Sequence, residues 1–184
     1  MRRPHDGQSI TSMTSLETPR LVLRPFRPDD LDDLCPIFGD ADVMRYVGKG
    51  VRTRQETEET LLRMIGHWGR HGFGLWAVVD RQQARLIGRC GLCFLDHTPE
   101  VELGYTLAKP AWGKGLATEA AHASLKYGFG PLELDRIVAI ARPENGASRR
   151  VMEKVGMRFE KEAHFYGADV VYYAVSRRDW GVER

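Results

Sequence analysis

The stretch VELGYTLAKPAWGKGLATEAAHASLKY, from Val101 to Tyr127, reads as a strand, a glycine-bearing turn and a helix in immediate succession. Val101, Leu103, Tyr105 and Leu107 alternate with Glu102, Gly104 and Thr106, the period of two expected of a half-buried strand. Leu116, Ala120, Ala123 and Tyr127 then recur at helical spacing. Between the two runs stands Lys109-Pro110-Ala111-Trp112-Gly113-Lys114-Gly115. A strand that passes through glycines into a helix start points backbone N–H groups outward, and the helix dipole adds partial positive charge. Such a turn can hold an anion such as a pyrophosphate. Glycine suits it because a Cβ would keep the phosphate away.

Three phosphate-binding patterns compete for this turn. A Walker A loop needs Ser or Thr after its Gly-Lys, but Lys114 is followed by Gly115, so that pattern fails. A Rossmann fingerprint needs a third Gly or Ala, and here Gly113 and Gly115 are followed by Thr118, with the preceding chain arranged wrongly for a first βαβ unit. The segment from Glu102 to Ala120 resembles the coenzyme A turn of the GNAT acetyltransferases, in the version of the Rim-type subfamily that includes ribosomal-protein N-terminal acetyltransferases. Taken alone, a strand-to-helix corner softened by glycine would read the same way. Downstream, Asn145-Gly146-Ala147-Ser148 and then Glu153-Lys154-Val155-Gly156-Met157 follow another apolar strand and are similar to the second signature of that family. With both segments in the right order and spacing, the resemblance extends from about Thr18 to Trp180.

The 184 residues fit one domain, long enough to bury a substantial core. The expected division is a flexible leader over 1–17 and a single acetyltransferase domain over 18–184. Net charge is only +2, too little to argue for nucleic-acid binding. No apolar run is long enough to span a membrane, and Met1 to Ser15 lacks the apolar core of a signal peptide, so a cytoplasmic location is expected. Cys90 and Cys93 are three apart in an apolar strand and should face opposite ways, which disfavours a shared metal or disulfide. No metal is expected. Cys35 reads as a packing residue.

Along the chain, Arg20 to Arg27 reads as a first strand, and Pro28 with Asp29 and Asp30 opens a helix bearing Leu31, Leu34, Cys35 and Phe38. Thr53 and Glu56 form a capping box before a helix that buries Leu61, Ile65 and Trp68. Phe73 to Val79 and Leu86 to Leu95 form a hairpin, followed by the opening stretch, whose helix ends at Gly128, Gly130 and Pro131. The strand Arg136 to Ala141 leads to a helix capped by Asn145 and closed by Gly156, and Met157 to Phe165 with Val170 to Val175 form a last hairpin about Gly167. The resulting class is α+β, a three-layer α/β/α GNAT-like sandwich on a mixed, mainly antiparallel central sheet. The strand-helix-strand crossover through Leu116 to Tyr127 should place its two strands side by side.

The resemblance implies acetyl-coenzyme A as donor and a primary amine as acceptor, a protein N-terminus or a small molecule, attacking the thioester directly in a ternary complex. Backbone groups of Thr106 and Leu107 would pair with the pantetheine arm, and Trp112, Gly113, Lys114, Gly115, Leu116, Ala117 and Thr118 would hold the pyrophosphate, joined by Asn145, Ser148 and Arg150. Arg149 is a second candidate for a phosphate, although one of the two arginines is expected simply to face water. Glu102 is the candidate base and a substrate contact; Tyr46, His164 and Tyr166 complete the expected acceptor site, near Met44, Arg45 and Asp169. Many relatives carry a tyrosine seven residues after the capping Asn, but Met152 stands there, so Ser148 is the candidate proton donor to the leaving sulfur. Each site residue also has a structural reading: a strand carboxylate for Glu102, a helix-start serine for Ser148, an N-cap for Asn145. A module that binds acyl-coenzyme A or another dinucleotide without turnover would need the same turn. A homodimer is possible, as is common in the family.

Overall fold

The computed structural model describes residues 14–181. The chain runs β1 (Leu16–Glu17), β2 (Leu21–Arg24), a 3₁₀ turn (Pro28–Asp30), α1 (Leu31–Phe38), α2 (Ala41–Met44) and α3 (Arg54–His71). Then come β3 (Leu75–Asp80), β4 (Arg85–Phe94), β5 (Val101–Leu107), a 3₁₀ turn (Lys109–Ala111) and α4 (Leu116–Phe129). It ends with β6 (Arg136–Ala141), α5 (Gly146–Lys154), β7 (Arg158–Phe165) and β8 (Ala168–Ser176). Leu16 and Glu17, assigned to the leader from sequence, instead pair with Leu23 and Val22 as an antiparallel strand. The folded part therefore begins before residue 18, because Leu16 packs on the core and the Thr14 carbonyl accepts the Trp76 indole N–H at 2.8 Å. The rest of the expected leader, 1–13, lies outside the described residues.

All the strands join one mixed sheet in the order β1-β2-β3-β4-β5-β6-β8-β7, antiparallel throughout except between β5 and β6. That parallel pair is the expected crossover. Its register holds at one position only, Glu102 opposite Val138, and the two strands part beyond it. Apolar side chains cover both faces. On one, Phe38, Met44, Leu61 and Met64 of α1 to α3 pack against Ala77 and Leu86. On the other, Leu103 and Ile137 lie under Ala120 and Leu125 of α4 and Met152 beside α5's end. Gly128 permits the close approach of α4: a Cβ there would stand 2.5 Å from Ile137 Cδ1.

Local chemistry sets the element ends much as the sequence suggests. The Thr53 hydroxyl accepts the Glu56 amide at 3.2 Å while the Glu56 carboxylate accepts the Thr53 amide at 2.8 Å, closing the predicted capping box. The helix expected at Pro28 begins as a 3₁₀ turn, and the Asp30 carboxylate accepts both Arg24 guanidinium nitrogens, at 2.8 and 2.6 Å, and the Arg27 amide at 2.7 Å. Cys90 is buried and meets the Ser124 hydroxyl at 3.5 Å, whereas Cys93 lies opposite Glu102 in register. Among the described residues, no helix is long and apolar enough to cross a membrane, and no group of three or more His, Cys, Asp or Glu could hold a metal.

One long-range clamp fixes the turn before α4. The Glu119 carboxylate accepts the Thr18 hydroxyl at 2.6 Å, the Arg20 amide at 2.9 Å and the Arg20 guanidinium at 2.6 Å, and Arg20 also donates to the Lys114 carbonyl at 2.8 Å. Partial burial raises the Glu119 pKa, but these donors outweigh it and hold the carboxyl below its ordinary value. A group depressed in this way stabilises the fold above its unfolded pKa and ceases to do so as pH falls through the folded one. Glu119→Ala is expected to lose about 1–3 kcal/mol in urea unfolding at pH 7. The difference from the parent should shrink as pH falls below about 4.5, and a gap that persists unchanged to pH 3 would refute the clamp.

Candidate active site

Where β5 and β6 separate, the structure opens a cleft of about 600 Å³. Its walls include Thr106 and Leu107 at the end of β5, Trp112, Gly113 and Gly115 of the turn, and Leu116, Ala117 and Thr118 of α4. Asn145, Ser148 and Arg150 of α5 face them, and Val43, Arg45 and Tyr46 close the side nearest α2. The expected cofactor residues thus converge on one cavity, with the exception of Lys114, which lines a smaller neighbouring pocket with Lys109 and Pro110. An ion pair between Lys109 and Asp42 ties the α2 wall to the turn. Volumes of this size suit a small-molecule site.

The turn is shaped to present amides. Gly113 and Gly115 adopt φ of 71° and 76°, the left-handed region that side chains rarely enter. The first intrahelical bond of α4 is Glu119 N–H to the Gly115 carbonyl, and no acceptor among the described residues meets the N–H groups of Gly113 to Thr118. A run of free amides at the positive end of a fourteen-residue helix can hold phosphate oxygens. The Trp112 indole, half exposed, donates to the Leu107 carbonyl at 2.8 Å and so is pinned between strand end and turn.

Asn145 caps α5, its side-chain oxygen accepting the Ser148 amide at 3.1 Å. Ser148 is then met by Tyr105, whose hydroxyl lies 2.9 Å from both the Ser148 carbonyl and the Ser148 Oγ. Tyr105 also lines the cleft. Strand alternation put it among the core residues, and its ring is indeed packed there; the missed signal was the phenol, which a buried tyrosine must pair. Burial pushes the Tyr105 phenol above its ordinary pKa despite the Ser148 bond, so it keeps its proton. Arg149 turns away to Tyr173 at 3.2 Å and to the Pro143 carbonyl, leaving Arg150 as the arginine of that pair on the cleft. Met152, 1% exposed, fills the core.

Glu102 stands apart from the cleft lining, on the α1 to α3 face of β5, four residues before Thr106. Burial raises its pKa to about 7, against the Tyr166 hydroxyl, which donates to it at 3.0 Å, and against the charge of Arg89; Asp96 pushes it further up. Tyr166 is held in turn, accepting the Asp96 amide at 3.0 Å and donating its own amide to the Asp96 carboxylate at 2.7 Å. The last hairpin therefore reaches back to the β4–β5 loop and places a phenol on Glu102. His164 is placed elsewhere: it is exposed beside Asp169, 2.9 Å away, and, like Glu102 and Tyr166, does not line the cleft. Between Glu102 and Thr106 on the same face lies Gly104, where a Cβ would touch only Leu75 Cδ2 at 3.6 Å. Gly104 itself is half-buried.

Residues 20–158 match the family model described as an acetyltransferase (GNAT) domain. The uncharacterized N-acetyltransferase YnaD of Bacillus subtilis is 34% identical over 173 residues, 90% of this chain and 98% of that protein. A GNAT-family acetyltransferase from Bacillus anthracis superposes with a TM-score of 0.79 at 31% identity, covering 90% of this chain and 99% of the other. The ribosomal-protein-S5-alanine acetyltransferase of Vibrio fischeri shares the fold, with a TM-score of 0.74 at 23% identity over 91% of this chain and 98% of that one. Fold, cleft and relatives agree that this chain belongs to the GNAT acetyltransferase family and is an acetyltransferase.

Proposed function

We propose that the protein moves an acetyl group from acetyl-coenzyme A to a primary amine by direct attack within a ternary complex. The observation that carries this reading is the run of unpaired amides from Gly113 to Thr118 at the cleft between the parted strands. Those amides would hold the pyrophosphate, with Arg150 adding charge, while the freed edge of β5 near Thr106 and Leu107 would hydrogen-bond the pantetheine arm as an added strand. Bound coenzyme A supplies an activated acyl group on a good leaving sulfur. The chain's own residues must then remove a proton from the amine and steady the charge that forms on the sulfur.

Glu102 takes the amine's proton. A carboxylate with a pKa of about 7 is half ionised near neutrality and basic enough to accept it. Because Glu102 lies about 13 Å along the strand from Thr106, the proton must cross by way of water rather than directly. At the other end, Tyr105 and Ser148 form a relay of hydroxyls. When the phenol's one proton turns from the Ser148 carbonyl to Ser148 Oγ, the serine's own proton is free to hydrogen-bond the sulfur. A phenol with a raised pKa does not surrender its proton outright, so the pair stabilises the thiolate and solvent completes the transfer.

Three measurements test the reading. Acetyl-coenzyme A at about 100 times its dissociation constant adds about 2.7 kcal/mol and should raise the unfolding midpoint by about 5 °C or more. Gly113→Val, which places a β-branched residue at φ of 71°, should abolish that shift; a shift of equal size in the variant would refute the anion site. The parent's kcat/KM should rise with pH through a limb near 7, since the base acts only when deprotonated. Glu102→Gln should lower the rate about 100-fold and remove the limb, whereas an unaltered profile would discard Glu102 as base. Tyr105→Phe and Ser148→Ala should each reduce kcat about tenfold, with the double variant little worse than either, because the two hydroxyls act as one unit. Additive losses would separate them.

A further inference from the structure

Three guanidinium groups, of Arg52, Arg63 and Arg89, gather about α3, with Glu56 and Glu102 near two of them but not in ion-pair contact. Arg89 projects from β4 on the face that carries Glu102, its guanidinium carbon 5.1 Å from the centre of the Phe38 ring. Arg52, just before α3, stands 5.2 Å from the same ring. Arg52 and Arg63 both donate to the buried Thr60 hydroxyl, at 2.5 and 2.8 Å, and that hydroxyl gives its own proton to the Glu56 carbonyl at 2.8 Å. Arg89 makes only long contacts, from Nε to the Thr106 hydroxyl at 3.4 Å and from Nη1 to the Met64 sulfur at 3.8 Å. None of the ion pairs among the described residues includes Arg52, Arg63 or Arg89.

Elsewhere the same fold neutralises a partly buried arginine fully, as Asp30 does for Arg24 with two hydrogen bonds. At Arg89 it does not. Burial lowers the Arg89 pKa to about 10, with the charge of Arg52 acting in the same direction and Cys93, Glu102 and Tyr166 opposing it. Burial likewise lowers Arg52, helped by Arg63 and opposed by Glu56. Two like charges partly withdrawn from water, as at Arg89 and Arg52, are costly unless an anion joins them. Their position suggests where that anion comes from. Arg89 meets Thr106, which lines the cleft, and Thr106, Gly104 and Glu102 follow one another along the same face of β5.

We propose that Arg89, supported by Arg52 and Arg63, binds the anionic group, a carboxylate or a phosphate, of a small acceptor whose amine is presented toward Glu102. The inference rests on the acetyl-transfer reading above and deepens it: the acceptor carries both charges, a cation at the Glu102 end of that strand face and an anion at the arginine end. Guanidinium groups suit either anion because their planar forks donate paired hydrogen bonds. A polyamine has no anion to offer and meets repulsion instead.

The test begins with protein saturated with acetyl-coenzyme A, so that added anions cannot occupy the Gly113 turn. Inorganic phosphate and acetate are titrated calorimetrically at low ionic strength into the parent, Arg89→Met and Arg63→Gln. Saturable binding of one of them is expected, weakened about tenfold or more in Arg89→Met and measurably in the exposed Arg63→Gln, with acetyl-coenzyme A affinity unchanged. Whichever anion binds more tightly identifies the group. Matched amines are then compared by thiol release, glycine against glycinamide and phosphoethanolamine against ethanolamine. The anionic member should be favoured about tenfold in kcat/KM, and the preference should vanish in Arg89→Met. No saturable binding of either anion, equal binding in Arg89→Met, or preference for the neutral members would overturn the proposal. The titration is repeated without acetyl-coenzyme A, where sensitivity to Arg89→Met still reports the cluster, so failure of acetyl-coenzyme A to bind strikes the donor reading alone.

Discussion

The single parallel rung between Glu102 and Val138 is the constraint on which the rest of the structure depends. A sheet whose strands pair along their full length has no room for a ligand between them, whereas two strands that never meet leave the sheet in halves. Here one rung joins the antiparallel β1 to β5 sector to the antiparallel β6, β8 and β7 sector and then gives way. Past it, backbone N–H and C=O groups on facing edges lose their neighbours, and such groups must find partners in solvent or in a ligand. The crossover helix α4 bridges the two strands and starts at the mouth of the gap. Its free amides therefore open onto the cleft, and the cleft itself exists because the strands part.

That arrangement divides the work of β5 between its two faces. Tyr105 reaches α5 from one face; Glu102, Gly104 and Thr106 look toward α1 to α3 from the other. On the proposed mechanism the period of two thus separates the group offered to the sulfur from the group offered to the amine by the thickness of a strand. Burial tunes both, in the same direction for both acids. It holds the Tyr105 phenol protonated as a donor, and it brings Glu102 near neutrality, where the carboxylate can accept a proton and release it again.

The elements were legible in the sequence because their signals are local. Alternation marked β5, the Thr53–Glu56 pair marked the start of α3, and Asn145 marked the start of α5. The turn that borders the cleft was legible for a related reason, since a glycine turn followed by a helix start carries its chemistry in the backbone. What escaped was long-range. The Glu119 clamp joins residues about a hundred positions apart, and Glu119 reads on the helix as an ordinary surface carboxylate. Leu16 and Glu17 make too short a strand to show a period and were assigned to the leader. His164 and Tyr166 stand two residues apart, yet Tyr166 sits in the turn at φ 51° and its phenol reaches Glu102, whereas His164 on the strand meets Asp169, a difference that spacing alone does not show.

Met152 shows how a departure from the family pattern can be absorbed. Many relatives place a tyrosine at that position of the helix, and its hydroxyl would lie within a surrounding that here is packed to 1% exposure. A buried phenol at that point would need a partner, whereas a methionine needs none and fills the space flexibly. The hydroxyl reaches the cleft from the facing strand instead, as Tyr105, and its partner is the serine in the first turn of the same α5. On the proposed mechanism the requirement is a hydroxyl with a firmly held proton beside the sulfur, not a particular helix position. Two residues that already touch can meet it, and the core beneath α5 is left wholly apolar at the position they replace.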